Sequence, residues 1–215
     1  MSTPTLSPRT NPDSVLVEGL LRVVTVAAYF VLVAGVYKQW QLAPQRWSLV
    51  ALLLIEALTM GLLVFAREAR LRDLSPLAAA STLLATFYFV FLNLAPGRHV
   101  VPELVAVTIQ ALGMAWQVWA KLTLGRSFGL LPADRGVVTS GPYALVRHPI
   151  YLGYLVSHVG FLLANLSVRN AMVLTSLYSL QVLRVVLEER MLSRASLDYR
   201  SYMRVVRWRF IPGLL

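Results

Sequence analysis

Residues 47–66 read WSLVALLLIEALTMGLLVFA. They hold a single formal charge, Glu56, in a run of the roughly 20 residues that an α-helix needs to cross a hydrocarbon core about 30 Å thick. A half-buried strand would alternate apolar and polar residues, and a surface helix would show a polar face; this run does neither. Five more runs resemble it, at about Val17–Tyr37, Pro76–Leu94, Val101–Leu124, Pro149–Leu166 and Ala171–Leu187. In lipid a spanning segment must satisfy its own backbone hydrogen bonds, and helices do so within one segment. The expected fold is therefore all-α: a polytopic membrane helical bundle of about five to six spans, followed by a C-terminal amphipathic interfacial helix. The last two runs are short and joined by Ser-Val-Arg-Asn (167–170), which suggests an antiparallel hairpin.

Composition agrees. Of the 215 residues 57% are hydrophobic and 14% charged, whereas a soluble domain is about half apolar and a quarter charged. Cysteine is absent, which excludes disulfides, thiol nucleophiles and cysteine-ligated zinc or iron–sulfur centres. His99, His148 and His158 are too scattered to suggest a metal site, so no metal is expected. The net charge of +10 could suit nucleic acid. The basic residues instead flank apolar runs, as they do in cytoplasmic loops, and no nucleic-acid partner is expected. With the N-terminus inside, the inner segments carry Arg9, Arg67, Arg70, Arg72, Lys121, Arg126, Arg135, Arg147 and six arginines after residue 189. The outer loops carry Lys38, Arg46, Arg98 and Arg169. Fourteen against four places both termini in the cytoplasm. Arg22 and Arg184 lie inside runs and stand outside this count. The excess of arginine over lysine hints at a GC-rich bacterial genome, hence a bacterial inner membrane. Trp40, Trp47, Trp116 and Trp119 lie near run ends and read as interfacial anchors. No internal repeat supports a transporter of duplicated halves.

The chain divides into a disordered tail (1–14), four N-terminal membrane helices (15–124) and a C-terminal region that holds the chemistry (125–215). No cleavable signal peptide is legible in the tail. Residues 125–148 (GRSFGLLPADRGVVTSGPYALVRH) form a long loop with aromatic and aliphatic residues throughout, which marks it as ordered and functional. It runs into a helix with Pro149 at its first position and His148 at the N-cap, at the positive end of the dipole. Beyond the sixth run, Met191, Leu192, Ala195, Tyr199, Tyr202 and Val206 recur at helical spacing. Arg190, Arg194, Arg200, Arg204, Arg207 and Arg209 surround them, suited to lipid phosphates.

Ionisable residues within spans are costly and are functional suspects. Arg22 can snorkel to the cytoplasmic interface. Glu56 could pair with an arginine or sit protonated between helices, and His158 suits packing at least as well as catalysis. Arg184 and Glu188 stand four apart on one helix face, which at its plainest is a salt bridge worth a few tenths of a kcal/mol. The adjoining Glu189, and a loop returning Arg147-His148-Pro149 to the same side, raise the pair to candidate catalytic residues.

The runs Gly-Pro-Tyr-x-x-x-Arg-His-Pro-x-Tyr-x-Gly (Gly141–Gly153), Arg-x-x-x-Glu-Glu-x-x-Leu (Arg184–Leu192) and Tyr-x-x-Tyr-x-x-Val (Tyr199–Val205), with a final Ile211-Pro212, resemble the isoprenylcysteine carboxyl methyltransferase family. Membrane methyltransferases acting on phospholipids share a looser version. The resemblance covers roughly residues 120–212. It implies an integral membrane enzyme that uses S-adenosylmethionine, with the cofactor pocket in the C-terminal half. By position, Arg135, Gly136, Val137, Val138 and Tyr143 would line the cofactor. His148 and Tyr151 would hold its polar parts, Glu188 would close the pocket, and Arg184 would face the substrate. Where members often have Phe-Gly, this chain has Ala195-Ser196-Leu197 and is one residue shorter. The first four runs carry no family motif.

The residues suit the chemistry on their own terms. Methyl transfer is an in-line displacement that needs alignment and a dry site, and no covalent nucleophile. A carboxylate acceptor is ionised at neutral pH and needs orientation, which an arginine fork supplies. No Gly-x-Gly-x-x-Gly loop points to a soluble nucleotide-binding fold. The expectation is S-adenosylmethionine-dependent methylation of a lipophilic acceptor, first a prenylated cysteine carboxylate. A phospholipid amine, or a small lipophilic acid, amine, thiol or phenol, is the alternative. A transporter or structural protein contacting membrane lipid is the reading outside enzymes.

Overall fold

A computed structural model describes residues 12–64, 84–85, 87–124 and 137–214. Among them lie six α-helices: α1 (Pro12–Leu42), α2 (Trp47–Val64), α3 (Glu103–Leu124), α4 (Pro149–Ala164), α5 (Val168–Ala195) and α6 (Leu197–Val205). Single 3₁₀ turns stand at Tyr88–Phe91 and Gly141–Ala144. The described residues hold no strand, only an isolated bridge between Arg98 and Leu166.

The all-α expectation holds, and α1 to α4 begin within a few residues of their apolar runs or, for α1, somewhat earlier. Of the tail, only Pro12–Ser14 is described, and it opens α1. The run Pro76–Leu94 lies largely outside the described residues. Its described end passes through the 3₁₀ turn and turns extended at Leu92. One described stretch, Val168–Arg194, is long and apolar enough to cross a membrane; Trp47–Leu58 and Pro149–Ala164 are shorter apolar helices.

Two boundaries correct the sequence reading. The link before α5 is Asn165–Ser167, because Ser167 accepts from the Asn170 N–H at 3.1 Å and draws residues 168–170 into the first turn. The basic segment after residue 187 is not one amphipathic helix. α5 runs on to Ala195, Ser196 is extended, and its hydroxyl accepts from the Tyr199 N–H at 3.2 Å, so a second helix starts there.

The expected hairpin partner of α4 also changes. α4 packs chiefly on α3, and only lightly on α5. Glycine explains this. A β-carbon on Gly153 would lie 2.5 Å from Gln117 Cγ and 2.8 Å from the Gly113 carbonyl oxygen, and one on Gly160 would lie 2.7 Å from that of Ala106. Small residues let two helix backbones approach closely. A core of Leu32, Val36, Leu49, Leu52, Phe89, Phe161, Leu174 and Leu177 joins α1, α2, the first 3₁₀ turn, α4 and α5.

Arg46 does not behave as an outer-loop charge. It is buried, donates to the Leu94 carbonyl at 2.8 Å and Asn165 Oδ1 at 2.6 Å, and ties the α1–α2 corner to the end of α4. Asn165 in turn donates to Ser48 Oγ at 3.0 Å, and Asn170 to the Asn93 carbonyl at 3.0 Å. Trp116 is likewise a cross-link, its indole N–H donating to the Pro149 carbonyl at 2.9 Å.

Candidate active site

The described part of the long loop begins at Val137. Gly141 has φ +58, a left-handed conformation that disfavours a side chain, and a β-carbon there would stand 3.0 Å from Thr123 Oγ1. It opens the 3₁₀ turn that buries Pro142 and Tyr143. The loop then reaches α4 with His148 at the N-cap and Pro149 first in the helix, as expected. The cap is made by the backbone: the His148 carbonyl accepts from the Tyr151 N–H at 3.1 Å. The side chain is used elsewhere.

Its partner is Glu189. Glu189 Oε1 accepts from Arg147 Nε at 2.7 Å and faces His148 Nε2 at 3.3 Å, while Oε2 accepts from Arg209 Nε at 3.0 Å. Arg147 Nη1 also donates to the Val206 and Arg207 carbonyls, both at 2.7 Å. The backbone N–H groups of Arg147 and His148 donate to Trp208 O and Arg209 O at 2.9 and 2.7 Å. The C-terminal tail is thus locked beside the 137–148 loop by one buried carboxylate. The sequence reading assigned Arg209 to lipid phosphate and left Arg147 and Glu189 without a role. Their presence inside the two quoted motifs was the available signal.

The next face of α5 carries Gln181, Arg184 and Glu188, at spacings of three and four. The Arg184 guanidinium lies over the Tyr151 ring, 6.0 Å from its centroid. Burial raises the pKa of both Tyr143 and Tyr199; the Glu188 charge raises that of Tyr143 further, and the Glu189 and Glu188 charges that of Tyr199. Tyr202 donates to the Tyr143 carbonyl at 2.6 Å, and Val137 packs against Tyr199, Tyr202 and Val206. The His148 and Tyr151 rings lie 5.8 Å apart.

Of the residues singled out in the sequence, Val137, Tyr143, Tyr151, Arg184 and Glu188 gather here. His148 borders the group with its Nε2 turned to Glu189 and its N–H bonded to Arg209. Val138 stands half-buried at the loop's start. Arg135 and Gly136 lie outside the described residues. Gln181 was missed: it is buried, and its Oε1 accepts no hydrogen bond among the described residues. Its helical register with Arg184 and Glu188 could have revealed it.

Residues 102–196, from the start of α3 to the end of α5, match the family model for phospholipid methyltransferase. None of the curated proteins matches the chain. The matched family and the isoprenylcysteine carboxyl methyltransferases belong to one superfamily of integral membrane methyltransferases, which agrees with the resemblance carried by the motifs.

Proposed function

We propose, on the premise of that match, that the protein is an integral membrane methyltransferase that uses S-adenosylmethionine to methylate a lipophilic acceptor. The single observation that carries this reading is the Arg184 guanidinium over the Tyr151 ring, on the helix face that Gln181 and Glu188 share, one residue away from the Glu189 lock. Bound S-adenosylmethionine supplies a methyl group activated on a sulfonium. The residues present suit such a molecule. Glu188 offers a carboxylate to an ammonium group. Tyr143 and Tyr151 offer ring faces to an adenine and to a positive sulfur. Val137 and Val138 offer apolar walls, and the orphan Gln181 Oε1 accepts an N–H. Arg135 and Gly136 complete the proposed set. His148 acts by fixing the loop through Glu189. The Glu189 lock holds these groups in place and limits water beside the reacting atoms.

Arg184 suits an acceptor carboxylate of the isoprenylcysteine type, which a planar guanidinium grips with two parallel hydrogen bonds. The matched family favours a second reading, a phospholipid headgroup amine. An apolar groove of about 570 Å³ between α2 and α3, lined by Leu54, Leu58, Met114, Val118, Trp119 and Leu122, supports an apolar tail in either case. Its Trp119 end lies beside Gly141. The proposed placement is multi-pass, with five to six spans, both termini cytoplasmic, in a bacterial inner membrane.

The test is calorimetric binding of S-adenosylmethionine to detergent-purified protein, paired with a tritiated-methyl assay on extracted membranes. Binding that Glu188→Ala weakens, and labelled lipid that Arg184→Ala abolishes, are the results expected. No binding by the unaltered chain ends the proposal.

A further inference from the structure

A second carboxylate lies deep in the bundle, away from the Glu189 lock. Glu56 of α2 accepts from the Tyr88 hydroxyl at 2.7 Å. The same hydroxyl stands 2.6 Å from His158 Nε2, and His158 Nδ1 stands 2.7 Å from the Tyr178 hydroxyl. Four elements (α2, the first 3₁₀ turn, α4 and α5) thus join in one unbranched file. Glu56, Tyr88 and His158 are all buried. The hydrogen-bond inventory gives the file a direction. Tyr88 has one proton and gives it to Glu56, so its oxygen accepts from His158 Nε2–H. Nδ1 is then the acceptor and takes the Tyr178 hydroxyl proton. Each link has one donor and one acceptor, and the whole file can reverse by moving one proton per link.

Tyr178 and His158 stand on the two helices, α5 and α4, that also carry Arg184 and Tyr151. Tyr154 stacks on His158 at 5.8 Å between centroids and stands one turn from Tyr151 on α4. Lys121 Nζ lies 3.4 Å from the Tyr154 hydroxyl. Tyr178 precedes Arg184 by six residues, about 9 Å of helix rise. Tyr29 of α1 and Lys121 of α3 are the other titratable groups within electrostatic reach of Glu56. A packing role would be met by one satisfied pair. A directional file of four ionisable or hydroxylic groups, ending on a carboxylate, is what proton transfer requires.

We infer that Tyr178, His158, Tyr88 and Glu56 form a proton relay that drains the methyl acceptor during transfer. The inference rests on the methyltransferase reading. Methylating an acceptor that bears a proton forms a bond from the acceptor atom to carbon, breaks the carbon–sulfur bond with its electron pair left on sulfur, and frees one proton. That proton passes to the Tyr178 oxygen as the Tyr178 proton moves to His158 Nδ1. The Nε2 proton moves to the Tyr88 oxygen, and the Tyr88 proton moves to Glu56, which becomes a neutral acid. After product leaves, the proton returns by the same file to water. A carboxylate acceptor releases no proton and makes no use of the relay, so the file serves an acceptor whose reacting atom carries hydrogen.

Tyr88→Phe keeps the ring and cuts the file. In unaltered protein without methyl donor, a pH jump should change an infrared carboxyl band that Glu56→Gln removes. Tyr88→Phe should slow that response on the order of a hundredfold, in the range of general acid–base effects, while Ser179→Ala leaves it unchanged. In membranes supplied with tritiated-methyl donor, Tyr88→Phe should lower labelling of a long-chain amine by a similar factor and spare a long-chain carboxylate. An unchanged band response in Tyr88→Phe, or equal losses on both acceptors, overturns the relay. Tyr178→Phe cuts the other end and should produce the same two losses, so it carries the test if Tyr88→Phe does not fold. Failure of the unaltered chain to bind S-adenosylmethionine would instead strike the methyltransferase reading, since the band response needs no donor.

Discussion

Among the described residues, two buried carboxylates divide the polar interior. Glu189 is met by Arg147, His148 and Arg209, which arrive from the long loop, the entrance of α4 and the C-terminal tail. Glu56 is met by one hydroxyl, with an imidazole and a second hydroxyl behind it. The first arrangement fixes position: each added cation deepens the preference for one geometry and one charge state. The second joins the carboxylate to a chain of hydroxyl and imidazole groups, with the Lys121 ammonium as the cation in electrostatic reach. Charge pairing shapes the site, and a chain of neutral donors can serve it.

The largest effect that would break this contrast belongs to Glu189. Glu189→Gln strands the buried Arg147 and should cost about 3–5 kcal/mol, read as a large fall in thermal unfolding temperature in detergent. A stability near that of the unaltered chain would show that the lock is decoration. Next is its neighbour. Glu188→Ala should leave the unfolding temperature unchanged and weaken S-adenosylmethionine binding. Loss of a charged hydrogen bond is worth about 1.5–3 kcal/mol, roughly 10- to 100-fold in Kd by calorimetry. Gly153→Ala should destabilise by about 1–3 kcal/mol through overpacking against α3, measured by the same melt. Glu56→Gln keeps a hydrogen-bonding oxygen for Tyr88 and should cost less than about 1 kcal/mol; a loss as large as that at Glu189 would erase the distinction. Ser196→Ala removes the α6 cap and should cost about 1 kcal/mol, visible as faster proteolysis after residue 195.

Much of this was legible in the chain. The apolar runs placed the starts of α1 to α5 within five residues, because length and charge content are local properties that a helix in lipid must satisfy alone. Pro149 and His148 announced the start of α4. Arg184 and Glu188 stood out as candidates from a spacing of four in a helix that was itself legible. The sequence ends the last run at Leu187 because Glu188, Glu189 and Arg190 interrupt it there, whereas the helix continues to Ala195 and only the Ser196 cap marks the break. Arg46, Lys121 and Arg209 carry the same charge as the arginines at the interface, and nothing in their local sequence distinguishes a side chain that cross-links the fold from a solvated one.

Taken alone, the sequence determined that the chain is helical and that the quoted motifs fall after residue 124. Which of two adjacent glutamates locks the tail was decided only by the tertiary structure. Neighbours on a helix point about 100° apart, and the rotation of α5 is set by Leu174, Leu177 and the Tyr199–Tyr202 cluster packing on distant segments. The file from Tyr178 to Glu56 joins residues up to 122 positions apart for the same reason: hydrogen-bond partners are chosen by packing, and packing is not written in local sequence.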